Sequence, residues 1–142
     1  MTITTEEKAD WLARVDLFSG VDQPGLRRVA ELAGEIEFPA GRHIVQQGLV
    51  GNGLYILVSG AAEVVRSGDA LATLHPGDFF GELAVIDQMP RSASVVATEP
   101  TTCLALASWD LLDLLAREPR ISLNLLRTLA ARLRSAQEHH RH

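Results

Sequence analysis

Four glycines, Gly41, Gly48, Gly60 and Gly77, cut the stretch from Glu35 to Ala107 into apolar runs too short to be helices. Leu54-Tyr55-Ile56-Leu57-Val58 is the strongest of these runs. Glu63-Val64-Val65, Leu71-Ala72-Thr73-Leu74, Val95-Val96-Ala97 and Cys103-Leu104-Ala105-Leu106 follow, and Ile36 and Phe38 alternate with charged residues at the start. Short β-branched and aliphatic runs bounded by turn residues are strands. Many short strands with frequent turns bury their apolar faces by folding into a small barrel or jelly roll.

Helical patterning flanks this middle section on both sides. Thr4-Thr5-Glu6-Glu7 forms a capping box, with Thr4 as N-cap and Glu7 three residues on. A first helix follows, with Trp11, Leu12 and Val15 on one side. A second starts after Asp22, carries Leu26, Val29, Ala30 and Ala33 at helical spacing, and ends at Gly34. Ser108 is an N-cap candidate for a helix over 109–117, which Glu118-Pro119 breaks. A last helix runs from about Arg120 towards Glu138. Leu126, Leu129, Leu133 and Ala136 recur on it at spacings of three, four and three, a stripe suited either to packing on the roll or to pairing with a second copy. The expected fold class is α+β, mainly β: an eight-stranded β-roll or jelly roll flanked by N-terminal helices and two C-terminal lid helices. The expected organisation is one domain over 1–142, divided into helices (1–34), roll (35–107) and helices (108–142).

Bulk properties narrow the function classes. The chain has 142 residues, 46% of them hydrophobic and 22% charged, with a net charge of −5. That balance argues against a general nucleic-acid or anionic-membrane surface. No apolar stretch approaches the roughly 20 residues needed to span a bilayer. The N-terminus lacks the basic start and apolar run of a signal peptide, so a cytoplasmic protein is expected. The single cysteine, Cys103, makes no intrachain disulfide and reads as a small buried apolar residue. His43 and His75 stand alone, without the clustered histidines and carboxylate that a metal enzyme on a related roll needs. No enzyme activity, metal or cofactor is expected.

Residues 80–95, Phe80-Gly81-Glu82-Leu83-Ala84-Val85-Ile86-Asp87-Gln88-Met89-Pro90-Arg91-Ser92-Ala93-Ser94-Val95, carry the chemistry. A ring phosphate needs a permanently charged donor that matches its oxygen geometry, and Arg91 is the candidate. A ribose hydroxyl donates, so an ionised carboxylate is its natural partner, and Glu82 fits. Residues 82–87 suit one short helical turn whose first amides are free. Gly81 permits close backbone approach. Pro90 presets the bend before Arg91, and Ser92 offers a hydroxyl to phosphate or base.

In this order the segment resembles the phosphate-binding cassette of the cyclic nucleotide-binding domain family. The resemblance extends upstream through Phe38-Pro39-Ala40-Gly41, Gly48, Tyr55-Ile56-Leu57-Val58-Ser59-Gly60 and Gly77-Asp78-Phe79-Phe80, covering nearly the whole chain. It implies that Glu82 bonds the ribose 2′-hydroxyl and Arg91 the cyclic phosphate. Gly81, backbone amides near Leu83, Ala84 and Ala93, and Ser92 would complete the cradle. Val64 and Val65 are candidates for an apolar wall against the base, with plain core packing as their other reading. Arg132, Arg134, Ser135 and Gln137 are lid candidates from the last helix. The implied function is a cyclic nucleotide sensor that converts binding into repositioning of the C-terminal helices. Cyclic AMP is favoured over cyclic GMP as ligand. The implied partners are a protein effector of unknown identity and a second copy through the last helix; no DNA-binding domain is expected. The alternative is a module of the same fold that has lost its ligand and serves as a docking surface.

Overall fold

Thr4 starts the first helix through the reciprocal bonds of a capping box. In the computed structural model, which describes residues 2–50 and 53–140 and all their side chains except those of 83, 84 and 138–140, the Glu7 amide donates to Thr4 Oγ1 at 3.1 Å. The Thr4 amide in turn donates to Glu7 Oε1 at 3.2 Å. Helix α1 spans Thr5–Leu12 and is shorter than the apolar spacing suggests. Val15 lies beyond it and is buried just before a 3₁₀ turn, Asp16–Phe18, that the sequence did not announce. Helix α2 is Gln23–Leu32, capped by Asp22, whose Oδ1 accepts from the Gly25 amide at 2.9 Å. Gly34 does not end this helix but opens the first strand, where it pairs with Ala105.

Eight strands form two antiparallel sheets. They are β1 (Gly34–Phe38), β2 (His43–Val45), β3 (Gly53–Ser59), β4 (Ala62–Arg66), β5 (Asp69–Leu74), β6 (Phe79–Phe80), β7 (Ser94–Ala97) and β8 (Thr101–Ala107). One sheet has the order β1-β8-β3-β6 and the other β2-β7-β4-β5. The four turn glycines named above all have positive φ. The short helix α3 (Glu82–Asp87) lies between β6 and β7. After β8 come α4 (Ser108–Arg117) and α5 (Pro119–His140). Helix α4 takes Ala107 as its N-cap residue without a side-chain cap bond, so Ser108 is its first helical residue rather than its cap.

The period-2 alternation of strands sorts the apolar residues into two cores. Leu54 and Ile56 of β3 and Leu104 and Leu106 of β8 face the helices, where they join Leu12, Phe18, Leu26, Val29, Leu111, Leu114, Ile121 and Leu125. Leu57 and Cys103, on the opposite face of the same strands, join Ile44, Ala62, Phe80, Val95 and Ala97 between the two sheets. Burial there pushes the Cys103 thiol up to about 12. A C-terminal pair of helices packing on the roll through Leu111, Leu112, Leu115 and the Leu126–Leu133 stripe is the expectation from sequence; it holds for Leu111 and, in part, Leu115, but Leu112, Leu126 and Leu133 face outward. Their places are taken by Leu114, Ile121 and Leu125, with Leu129 partly buried. Helix α5 is further tied to the 3₁₀ turn by Asn124, whose Nδ2 donates to the carbonyls of Leu17 (3.0 Å) and Ser19 (2.8 Å). Arg28 of α2 pairs with Glu118 at the α4–α5 junction. Among the described residues no helix is long and apolar enough to cross a membrane.

Candidate functional site

A cavity of about 620 Å³ opens at the end of the sandwich, between the inner face of the β2-β7-β4-β5 sheet and the segment from β6 to β7. Its volume falls within the roughly 300–1,000 Å³ usual for small-molecule clefts. Val45, Val64, Ala72, Leu74 and Val95 form an apolar wall. Phe79, Phe80, Gly81 and Glu82 form another side, and Asp87, Met89, Pro90, Arg91, Ser92 and Ala93 a third. Arg132 reaches in from α5.

Arg91 and Glu82 are both buried, at 7% and 3% exposure, which is rare for charged side chains outside a pair or a site. The backbone fixes Arg91 first. Its amide donates to the Leu49 carbonyl at 2.8 Å, and its carbonyl accepts from the Gly48 amide at 2.9 Å. The next link is the bridge between Pro90 and Val50. Arg91 Nη2 donates to the Gly53 carbonyl at 2.9 Å. Nη1 is buried and has no hydrogen-bond partner among the described residues. Burial lowers the Arg91 pKa from its ordinary value, and Tyr55 and Glu82 pull it back up. A donor left unpaired in a buried place costs free energy comparable to a lost hydrogen bond, and more when it is charged. The guanidinium also walls a second, smaller cavity of about 260 Å³, bounded by β2 and Tyr55.

Gly81 also holds this arrangement open from within the protein. Its φ is +97°, a conformation that side chains rarely adopt. A Cβ built there would sit 2.5 Å from Arg91 Nη1 and 2.7 Å from the Gly53 carbonyl oxygen. Glycine therefore makes room for the buried guanidinium. The chain then turns directly into α3, whose first residue is Glu82. Glu82 accepts an ion pair from Arg132 Nη1. The Arg132 guanidinium also stands over the Phe79 ring, 5.3 Å from its centroid.

The structure brings together Gly81, Glu82, Arg91, Ser92 and Ala93 around one cavity, with Val64 in its wall and Arg132 above it. The side chains of Leu83 and Ala84 lie outside the described residues. Val65 does not line the cavity, because successive strand residues face opposite sides and a register shift separates it from Val64. Arg134, Ser135 and Gln137 are exposed and away from the lining, so of the four lid candidates Arg132 alone reaches it. Ser92 is exposed, and its carbonyl accepts from Arg66 Nε at 3.2 Å. Residue-by-residue reading missed Phe79, Phe80, Asp87 and Met89 as lining residues. The Phe79-Phe80 pair just before Gly81 carried a usable signal, and Phe80 stacks on its cross-strand partner Tyr55 with ring centroids 5.5 Å apart. Among the described residues no group of three or more His, Cys, Asp or Glu is arranged to hold a metal ion.

Known proteins share this architecture. The Cyclic AMP receptor protein of Thermus thermophilus is 42% identical over 104 residues, covering 70% of this chain and 48% of the relative. The cAMP-dependent protein kinase regulatory subunit of Schizosaccharomyces pombe is 33% identical over 125 residues, covering 80% of this chain and 30% of the relative. The chain thus spans about half the length, or less, of these curated relatives. Among solved structures, the catabolite activator protein of Thermus thermophilus superposes with a TM-score of 0.82 at 37% identity, covering 87% of this chain and 61% of that one. These two relatives are named as a receptor and a regulatory subunit, whereas the Glutaminase 2 of Bradyrhizobium diazoefficiens, 35% identical over 116 residues, is matched over 81% of this chain and only 18% of its own length. Residues 35–118 match the cyclic nucleotide-binding domain, and the chain belongs to that family.

Proposed function

We propose that the chain is a cyclic nucleotide sensor, with cyclic AMP favoured over cyclic GMP, that passes ligand binding to its C-terminal helices. The observation that carries this reading is Arg91: a buried guanidinium with one orphaned nitrogen, in the same cavity as a buried carboxylate. A cyclic phosphate supplies the acceptor that Nη1 lacks, and the ribose 2′-hydroxyl supplies a donor to Glu82. Backbone amides near Leu83, Ala84 and Ala93 and the Ser92 hydroxyl add to the phosphate side. Val64 and its neighbours offer an apolar surface to a purine. The preference for cyclic AMP is supported by the names of the relatives, which are cyclic-AMP proteins.

The same reading treats residues 1–142 as one regulatory unit, cytoplasmic and without enzyme activity, acting on a protein effector. It also includes self-association through α5. Leu123, Leu126, Ala130 and Leu133 are exposed on that helix at spacings of three, four and three, which is the period of a coiled-coil seam. The ligand reading is tested by calorimetry with cyclic AMP and cyclic GMP on the chain and on Arg91→Ala. Loss of a buried charged partner at an interface costs roughly 2–5 kcal/mol of affinity. Arg91→Ala is expected to lose that much, and unchanged affinity in this variant ends the phosphate assignment.

A further inference from the structure

Resting on the cyclic nucleotide reading of the cavity, we propose that Arg66, an exposed residue outside the cavity lining, is a positioning residue for the phosphate side of the site. It holds the Ser92 carbonyl outward and thereby aims the Ala93 amide at the place the phosphate takes.

The argument begins with one peptide plane. Among the described residues no peptide bond is cis, so the bond between Ser92 and Ala93 is planar and trans. In a trans peptide the carbonyl and the following N–H point in opposite directions. The Ser92 carbonyl accepts from Arg66 Nε at 3.2 Å. Arg66 is exposed and does not line the cavity, whereas Ala93 does. A carbonyl drawn outward to Arg66 therefore turns its partner N–H inward. Without that bond the plane is freer to rotate about its flanking dihedrals. An amide that must first be ordered by the ligand then gives up part of its hydrogen bond to conformational entropy.

Arg66 can hold the plane because its own place is fixed. It ends β4 and pairs with Asp69 of β5 across a two-residue turn, Ser67-Gly68. Both turn residues have positive φ, +51° and +87°, as the tight type I′ hairpin requires. Gln47 clasps the tip of this hairpin from the neighbouring loop. The Ser67 amide donates to Gln47 Oε1 at 2.8 Å, and Gln47 Nε2 donates to Ser67 Oγ at 3.3 Å. The Gln47 amide in turn donates to Ser94 Oγ at 2.9 Å. The stretch from Arg91 to Ser94 is thus pinned at three successive points. Gly48 and Leu49 hold the Arg91 backbone, Arg66 holds the Ser92 carbonyl, and Gln47 holds the Ser94 hydroxyl. None of these bonds uses the Ala93 amide, which leaves that donor for a ligand.

The test uses the whole chain as wild type, Arg66→Met and Arg66→Gln, each titrated with cyclic AMP by calorimetry and with adenosine by NMR. Methionine carries a methyl group where Nε stood, so it removes the charge and the donor together. Glutamine carries its own amide nitrogen at that place, so it removes the charge and keeps a donor. Arg66→Met is expected to bind cyclic AMP about fivefold more weakly, on the order of one net hydrogen bond. Arg66→Gln is expected to stay within about twofold of wild type, since it keeps that bond. Adenosine, which has no phosphate, is expected to bind alike to all three. Arg66→Gln falling as far as Arg66→Met assigns the effect to charge and overturns the positioning role. Unchanged cyclic AMP affinity in Arg66→Met also overturns it, as does an equal loss towards adenosine, which marks a general loosening of the fold. The Ala93 amide resonance reads the contact itself. A downfield shift on adding cyclic AMP to wild type and Arg66→Gln, reduced in Arg66→Met, supports the proposal, and an unmoved resonance in wild type overturns it. A wild-type chain that binds neither cyclic AMP nor cyclic GMP overturns the cyclic nucleotide reading instead.

Discussion

The two cores of this molecule differ in what they leave unfilled. The larger lies between the helices and the β1-β8-β3-β6 sheet, is built from large aliphatic and aromatic side chains, and holds Leu12, Leu54, Ile56, Leu104 and Leu106 at 0% exposure. The smaller lies between the two sheets, contains Ala62, Ala97 and Cys103 among its buried members, and adjoins the 620 Å³ cavity with its two buried charged residues. Both cores draw on the same strands, since alternate residues of β3 and β8 feed one or the other. One face of a single sheet thus serves stability. Its other face helps to frame a space where buried charge and an unpaired donor are tolerated, a combination that lowers stability unless something binds.

The widest separation between the regions is expected on truncating the larger core. Leu104 is fully buried on β8, paired with Glu35 on one side and Ile56 on the other. Leu104→Ala removes three carbon atoms from a place that cannot collapse, because both neighbouring strands hold the backbone. The expected loss is roughly 2–5 kcal/mol in urea denaturation. A loss below about 1 kcal/mol would mean that the face packed on the helices is not the principal source of stability, and the contrast between the cores would fail.

Gly81→Ala sharpens the contrast from the other side. The substitution places a residue at φ +97° and drives a Cβ into Arg91 Nη1 and the Gly53 carbonyl. A strained backbone of this kind costs of order 1–3 kcal/mol. The expected result is a moderate loss of stability with a larger loss of cyclic nucleotide affinity, because the guanidinium must move to admit the methyl group. Equal affinity in Gly81→Ala would show that the Arg91 position is not what the ligand reads.

These two positions also mark how far the sequence can be read. The cassette was legible because its elements are local: a glycine before a carboxylate, a short helix and an arginine after proline all take their geometry from neighbours in the chain. The capping box at Thr4 and the strand alternation were legible for the same reason. The strands β2 and β6 were not, since three and two residues are too few for a period to declare itself. They exist because β7 and β3 supply hydrogen-bond partners from far along the chain. The choice of Arg132 among four polar residues of one helix was also beyond local reading. Helical pitch spreads Arg132, Arg134, Ser135 and Gln137 around the axis, and which of them meets Glu82 depends on the angle at which α5 leaves α4 and crosses the 3₁₀ turn. The outward direction of Leu126 and Leu133 has the same origin, because Ile121, Leu125 and Leu129 occupy the inner face.

The smallest expected effect concerns that outward face. Leu133 is 61% exposed and Leu126 63%, so neither belongs to the larger core although both sit on the helix that closes it. Surface substitutions away from packed features change stability by no more than about 0.5 kcal/mol. Leu126→Ala/Leu133→Ala is therefore expected to leave urea denaturation of the dilute chain within that margin, while lowering self-association in sedimentation equilibrium at higher concentration. The two measurements separate the possible fates of the stripe. A stability loss above 1 kcal/mol in dilute protein would place these leucines on the roll after all and extend the larger core along α5. Unchanged self-association would free the seam of any role in pairing. The helix beyond Leu129 would then keep the Arg132–Glu82 ion pair as a described contact with the charged cavity.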